Sequence, residues 1–296
     1  MRTPEFRIPG RLSRALAGDS QGLSFAEAIW GLAFPALADL DDLPEGAEIV
    51  ALDKEPANLE ALRRADRLVA VKAYSTTSAI VQALSHLHHL RIAFLIDLKC
   101  PGAELQRLSG CASLEHLLLF SAKTLTDLGP LAGLRKLRSL FLHDVPGLDL
   151  TMLPPLPTLN EFVFYGNFLK GVKLQSFAPL GRLDSLRRLE LRNVRAADGS
   201  LAPLAALRGL EHLFLPTNEY EVEEYARLAS ALPAAQGRCL NPLWEPGHDE
   251  AGAPRFACPK CGGPQVFLTG KETRRSCRVC NAARVDQHLA RWNAAR

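Results

Sequence analysis

The sequence has few of the features that mark a membrane or secreted protein. No window approaches the ~18 consecutive apolar residues of a membrane span. The arginine-rich start is interrupted by Asp19 and Glu27 instead of continuing as an apolar run, which predicts that no secretory signal is present. The formal net charge is only +3 over 296 residues. We therefore expect a folded, cytoplasmic protein that has no membrane partner.

Catalytic motifs are also missing from the sequence. No Ser/His/Asp constellation, glycine-rich phosphate loop or paired-carboxylate motif stands out. The seven cysteines are an odd number, and four of them lie in two C-x-x-C pairs, which is a poor fit to a disulfide framework. These absences favour a non-enzymatic protein without a small-molecule substrate, in a reducing compartment.

Large apolar residues recur with a fixed phase along the chain. Between Leu128 and Leu142 five leucines fall three residues apart, and the step then drops to two, as expected for a tight helical turn followed by a strand. With the residue that opens the strand as position one, positions one, four and six are large and apolar in six copies. Position one is occupied by Leu87, Leu114, Leu137, Leu159, Leu186 and Leu210. A degenerate seventh copy precedes them with Ala65 at position one, and the alternative is an ordinary helical bundle rich in leucine.

The copies follow one another at 22 to 27 residues, a spacing typical of leucine-rich repeats. Leu125–Leu134 is very like the linking segment of the short internalin-type repeats of bacteria, and Pro130, Pro179 and Pro203 share one place in it. Residues 57–217 therefore resemble a bacterial leucine-rich repeat protein. The resemblance implies an α/β solenoid, a horseshoe with a parallel β-sheet on its concave face and helical caps. It departs from the family at the asparagine that ends each strand.

The pattern divides the chain into five segments. Residues 1–56 are predicted to be an N-terminal helical cap, 57–217 the repeats, 218–233 a C-terminal capping helix, 234–253 a linker and 254–296 a small terminal module. Capping-box-like starts at Ser24–Glu27 and at Asn218–Glu221 indicate the two capping helices.

The two C-x-x-C pairs predict a metal site in the terminal module. Fifteen residues separate Cys258-Pro-Lys-Cys261 from Cys277-Arg-Val-Cys280, so two knuckles can present four thiolates to one ion. Cys258, Cys261, Cys277 and Cys280 are thus the predicted ligands of one structural Zn²⁺ in a small four-cysteine zinc ribbon. Two redox disulfides and an open catalytic zinc site are the alternatives.

Positive charge is concentrated in the same module. Residues 253–296 hold nine basic and two acidic side chains. Such a surface can bind nucleic acid, keep the module in solution or face the more acidic repeats. A nucleic-acid-associated adaptor is therefore the alternative to a protein-binding function.

Positions three, five and seven of each copy alternate with the core residues, so they are predicted to face the concave groove. Aromatic and aliphatic side chains next to arginine are typical of protein interfaces. We predict that another protein binds there, in an immunity or regulatory role, and the alternative is that a cap or the terminal module covers this face. The predicted contact residues are Leu118, Phe120, Phe141, His143, Val163, Tyr165, Arg188, Glu190, Arg192 and Phe214.

Overall fold

A computed structural model describes residues 6–19, 23–29, 31–247, 255–271, 273 and 275–296. The repeats form a solenoid in which each turn contributes one short strand. In chain order the strands of this array are β1 (Ala36–Asp39), β2 (Ile49–Ala57), β3 (Ala70–Ala73), β4 (Ile92–Ile96), β5 (His116–Phe120), β6 (Ser139–His143), β7 (Glu161–Tyr165), β8 (Val172–Leu174), β9 (Arg188–Arg192), β10 (Val194–Ala196) and β11 (His212–Phe214). All except β8 and β10 form one nine-stranded parallel sheet, and β8 pairs with β10 in a separate one.

Short helices complete the turns of the solenoid. The α-helices are α1 (Gly10–Leu16), α2 (Phe25–Ile29), α3 (Ser78–Leu84), α4 (Val222–Ala231) and α5 (Ala282–Ala295). The 3₁₀ helices span Leu40–Asp42, Leu59–Arg64, Gly102–Gly110, Gly129–Leu131, Leu180–Arg182, Ala202–Ala206 and Arg238–Leu240. Pro130 and Pro203 lie in the first turn of their 3₁₀ helices, where proline removes no needed N–H donor.

The strand register confirms the predicted phase from Leu114 onward and corrects it before that point. Leu117 pairs with Ala93 and Leu119 with Leu95, so Leu90, not Leu87, holds position one of its copy. The preceding copy is displaced in the same way, with Leu68 in place of Ala65. Leucines three residues apart are equally compatible with either register. The prediction required a large apolar residue at position four, and the small Ala93 at that position does not meet this requirement.

A row of backbone hydrogen bonds replaces the missing asparagine ladder. Asp97, Ser121, Asp144 and Asn193 each follow a strand with φ between 52° and 54°, a left-handed conformation that Asn and Asp tolerate best. The N–H groups of Asp97, Ser121 and Asp144 donate to the carbonyl that ends the next strand. The turn after each of these strands is therefore held by the backbone of its neighbour.

Both ends of the array differ from the predicted segments. β1 and β2 extend the sheet within residues 1–56, whereas α1 and α2 lie on its concave face, so this part is not an end cap. At the other end α4 is present, but its N-cap is Glu221 without a side-chain cap, and the predicted capping box is wrong.

The C-terminal module packs directly on the end of the array. β12 (Leu243–Trp244) lies in the predicted linker, yet it pairs antiparallel with β13 (Gln265–Leu268), which pairs with β14 (Arg275–Cys277). The described part of that segment is therefore structured, and residues 248–253 lie outside the description. Trp292 of α5 is buried in the core of the repeat array.

Candidate functional site

The centre of the concave face is covered by α1 and α2. Leu118, Phe141 and Val163 are at most 1% exposed, and they form one apolar cluster with residues of the two helices. Our expectation that these three side chains are open to a partner does not hold in this structure. At the centre of the groove the N-terminal segment folds over the concave face, as in the alternative given with that prediction.

Aromatic contacts seat the covering segment on the sheet. The ring of Phe25 stacks on His116 with the centroids 3.5 Å apart, and Phe34 meets the edge of Phe94 at 5.4 Å. Burial lowers the pKa of His116 to about 3, with Arg91 and Arg138 acting in the same direction. The imidazole ring is thus neutral at physiological pH and serves as an aromatic surface for Phe25.

A polar row of concave residues runs beside this apolar cluster. Glu161 is buried; it accepts hydrogen bonds from Ser139 Oγ at 2.6 Å and from the Phe25 backbone N–H at 2.9 Å. Burial raises the pKa of Glu161 to about 7 in spite of these bonds. Glu190 is also buried and accepts from Arg188 Nη1 at 3.1 Å. Arg188 and Glu190 are therefore internal contacts and do not form an open edge of the groove.

The end of this row holds α2 through its glutamate. Ser24 and Glu27 form the predicted capping box, with both reciprocal bonds at 3.2 Å. Arg192 Nη2 donates to Glu27 Oε1 at 2.9 Å, and the Tyr165 hydroxyl lies 3.3 Å from the same oxygen. Burial raises the pKa of the Tyr165 hydroxyl, which therefore remains a hydrogen-bond donor.

Five of the predicted contact residues remain partly exposed, Phe214 most of all, and we call them the aromatic strip. They lie at or next to the last position of β5, β6, β7, β9 and β11, and they are Phe120, His143, Tyr165, Arg192 and Phe214. The Arg192 guanidinium lies 4.5 Å from the Tyr165 ring centre and 4.7 Å from that of Phe214. Phe120 and His143 lie 5.8 Å apart, centre to centre. The strip is a continuous surface across five turns of the solenoid.

Sequence reasoning missed residues on either side of this strip. Ile96 pairs with Phe120, and the register correction places it in the same row, with the exposed Tyr74 one strand earlier. Phe168 and Leu169, in the loop after Tyr165, are 89% and 88% exposed. Both lie in a turn in which Asn167 Oδ1 accepts the Leu169 N–H at 3.0 Å. Phe168 and Leu169 are two adjacent apolar residues in a segment between strands, and this sequence feature could have identified them as surface candidates.

The four predicted metal ligands come together in the C-terminal module. Their sulfur atoms all lie within 4.8 Å of one another. The Cys258–Cys280 and Cys261–Cys277 Sγ separations are 3.9 and 3.6 Å. A tetrahedral zinc–thiolate centre, with Zn–S near 2.3 Å, places its sulfurs about 3.8 Å apart. These four cysteines fit a closed metal centre.

The local backbone favours the thiolate form of Cys258. The Lys260 and Cys261 backbone N–H groups donate to Cys258 Sγ and hold the pKa of this thiol near 7. Gly262 has φ of 71° and donates its N–H to the Cys258 carbonyl at 2.8 Å, which closes the first knuckle. All seven cysteines lie in the described part of the chain, and all are free thiols. The alternative of two disulfides is not what this geometry shows.

The module is bonded to α4 and to the loop before it. Arg291 Nη2 of α5 donates to Glu223 at 2.8 Å. Within the C-terminal segment itself, His288 Nε2 lies 2.7 Å from the carbonyl of Pro242, the residue before β12. The backbone N–H groups of Gly270 and Lys271 donate to Thr217 and Tyr220. The acidic start of α4 is thus partly neutralised by the basic module.

Part of the positive charge of the module stays exposed. Arg278 pairs with Glu245 at 3.0 Å, and Arg291 pairs with α4. The Arg275 guanidinium lies 5.1 Å from the Phe256 ring centre, and both side chains are exposed. Arg274 lies outside the described residues.

The register decides the fold class. Seven consecutive strands of the sheet repeat one phase of buried residues, and short helical turns return the chain between most of them. The fold is that of a leucine-rich repeat protein. No helix in the described part of this leucine-rich repeat chain is long and apolar enough to span a bilayer.

Solved structures of other leucine-rich repeat proteins resemble it. Internalin C2 of Listeria monocytogenes is 20% identical with a TM-score of 0.40, and the match covers 69% of this chain and 83% of that one. A leucine-rich repeat protein of Leptospira interrogans is 21% identical at a TM-score of 0.45, covering 64% and 54%. TLR13 in complex with ssRNA13 is 15% identical at 0.49, covering 65% and 28%. No protein-family model and no curated protein matches the chain.

Proposed function

We propose that this chain is a non-enzymatic recognition protein that binds another protein through the aromatic strip. The observation that carries the proposal is the partly exposed surface that Phe120, His143, Tyr165, Arg192 and Phe214 form across five neighbouring strands. Aromatic residues and arginine are enriched among the residues that dominate binding energies at protein interfaces. An immunity or regulatory role in the cytoplasm fits this use of the surface.

Site-specific photocrosslinking tests the strip. A photoreactive phenylalanine analogue at Phe214 and at His143 is expected to crosslink the same partner protein, because both positions belong to one surface. The matched control is Met152, which is 64% exposed in a return segment. With the partner purified, Phe214→Ala should weaken binding by at least tenfold, as is usual for an interface anchor of about 2 kcal/mol. Equal crosslinking from Met152 would count against the strip.

For the four-cysteine cluster we propose one structural Zn²⁺. Cys258, Cys261, Cys277 and Cys280 would hold it, and its role would be to join the two knuckles and supply folding energy to a small module. Protein purified without chelator should contain about one zinc per chain by elemental analysis. The double variant Cys261→Ser, Cys280→Ser should contain none, whereas Cys100→Ser, outside the cluster, should keep it.

The alternative function as a nucleic-acid adaptor is supported by the exposed Arg275–Phe256 pair. A cation next to an exposed ring can stack on a base while it neutralises a phosphate. Arg275→Glu should then abolish a salt-dependent mobility shift of the full chain with single-stranded nucleic acid, and Arg63→Glu should leave it. No shift of the wild-type chain at low salt would eliminate this alternative.

A further inference from the structure

The covered part of the concave groove has the composition of a peptide-binding site. The described residues 8–19, 23–29 and 31–34, which we call the strap, lie across this face between two fixed points. Phe6 is tied to β2 because its carbonyl accepts the Glu48 N–H at 2.8 Å, and β1 begins at Ala36. The helices in the described part of the strap are the seven-residue α1 and the five-residue α2. Helices this short are not stable in isolation, so the groove imposes their structure.

The strap packs outside the main core of the solenoid. The leucines of the repeats form one cluster between the sheet and the return segments. The strap forms a second cluster on the opposite side of the sheet, with concave residues such as Phe94 and Phe141. The main core of the array is therefore complete without the strap.

We propose that the groove recognises a helical peptide of a partner protein and that the strap is its intramolecular occupant. This inference rests on the proposed function, because it extends the same protein-binding face from the aromatic strip to the centre of the groove. The strap itself shows which chemistry the groove accepts.

Three features of α2 define that chemistry. Phe25, Ala28 and Ile29 are buried at i, i+3 and i+4, which is one face of a helix. The Phe25 backbone N–H, free at the start of the helix, satisfies the buried carboxyl of Glu161 at 2.9 Å. Glu27 then places a carboxylate 2.9 Å from Arg192. A partner helix with a bulky apolar residue at its first turn and an acid two residues later would make the same contacts.

The aromatic strip links this groove to the exposed surface. Tyr165 and Arg192 belong to the strip, and both also contact Glu27 of the strap. A partner carboxylate that reaches Arg192 from the strip therefore competes with Glu27 for the same donors. Partner binding at the strip and release of α2 are coupled through these two side chains.

The strap lowers the apparent affinity of any competitor. A peptide can bind only the fraction of molecules whose groove is open, so its apparent Kd is the intrinsic value divided by that fraction. A tethered occupant has a local concentration on the order of millimolar. Weakening the strap should consequently tighten the binding of a free peptide without any change in the groove.

A synthetic peptide with the sequence of residues 8–34 provides a defined probe. Added with a fluorescent label to the full chain, it should bind Phe25→Ala at least tenfold more tightly than wild type by anisotropy, because the variant strap has lost its main anchor. Glu60→Gln, in which an exposed glutamate is changed outside the groove, should bind like wild type. A peptide that itself carries Phe25→Ala should bind Phe25→Ala protein at least tenfold more weakly than the wild-type peptide does.

Hydrogen exchange of the same proteins checks that the array stays folded. In Phe25→Ala protein the strap should lose protection while β5 to β7 keep theirs. Equal peptide affinity for wild type and Phe25→Ala, or no binding to either with β5 to β7 protected, would overturn the groove inference. Crosslinking from Phe214 and His143 tests contact at the strip whether or not the groove opens, so failure of the aromatic strip and failure of the groove can be told apart.

Discussion

Phe141 and Phe214 hold equivalent outward positions on the strands, yet the first is 1% exposed and the second 39%. The difference comes from the strap, whose apolar cluster includes residues of β2 to β7 and none of β11. Phe141→Ala should lower the free energy of unfolding by about 3–5 kcal/mol, because it opens a cavity among aromatic neighbours. Phe214→Ala should cost less than about 1 kcal/mol. Denaturant unfolding of both variants measures this difference, and similar costs would contradict the burial of Phe141.

Glu161 makes stability depend on pH. Its pKa of about 7 lies above the ordinary 4.5, so between these values the native protein holds a proton that the unfolded chain has lost. The free energy of unfolding should therefore fall with rising pH across this window, by at most about 1.4 kcal/mol per pH unit. Glu161→Gln cannot titrate and should remove this contribution.

The measurement is the difference between the wild-type and Glu161→Gln unfolding free energies from pH 4.5 to 8. Other carboxyls, such as Glu27 with its lowered pKa, contribute equally to both proteins and cancel. As the pH rises, the variant should become more stable relative to the wild type. The difference in unfolding free energy should become constant above about pH 7. A difference that is flat with pH would mean that Glu161 is not buried.

At the scale of single elements, the repeat pattern predicts strands well because positions four and six must both be buried. In the copies of β5, β6, β7, β9 and β11 the residues predicted at positions four and six are the buried ones, whereas β8 and β10 were not predicted. The first copies were misplaced by three residues because Leu87 and Leu90 are both buried leucines. Periodicity cannot distinguish two registers when the step itself is three.

The position of α1 and α2 could not be read from the same pattern. The capping box at Ser24 predicts correctly where α2 begins, since it is a local signal. Which surface the helix then covers depends on distant residues such as Glu161 and Val163, which become neighbours only once the sheet has formed. The sequence pattern therefore predicted an open concave face, whereas α1 and α2 cover part of this face in the folded chain.

Glycines set how closely successive turns of the solenoid stack. A Cβ on Gly110 would lie 2.3 Å from the Ser85 carbonyl oxygen, and one on Gly181 would lie 2.4 Å from that of Pro203. Because backbone atoms cannot move aside cheaply, Gly110→Ala and Gly181→Ala should each destabilise by about 1–3 kcal/mol. Gly147→Ala is the control, since nothing lies within 4 Å of its added Cβ. Thermal unfolding of the three variants measures this difference, and equal melting temperatures for Gly110→Ala and Gly147→Ala would contradict it.

Over the whole molecule, the two ends of the sheet need different protection. Each turn of a solenoid contacts only its neighbours, so an unprotected apolar end reduces the stability of the entire array. Here α4 covers the last turn with Val222, Tyr225 and Leu228. The C-terminal module then covers α4, and Trp292 enters the core of the array. The proposed zinc site and the repeats consequently belong to one structural unit.

Metal removal should therefore destabilise more than the module that binds the metal. Without four-thiolate coordination the knuckles lose folding energy, on the order of 10 kcal/mol in small zinc peptides, and α5 loses the support of β13 and β14. We expect a strong chelator, or Cys261→Ser with Cys280→Ser, to lower the melting temperature of the repeats and to shift tryptophan emission to the red as Trp292 becomes solvated. Added zinc should restore both in the chelated wild type but not in the variant. If the repeats melt at the same temperature with and without metal, α4 alone is a sufficient cap and the C-terminal module is only attached to it.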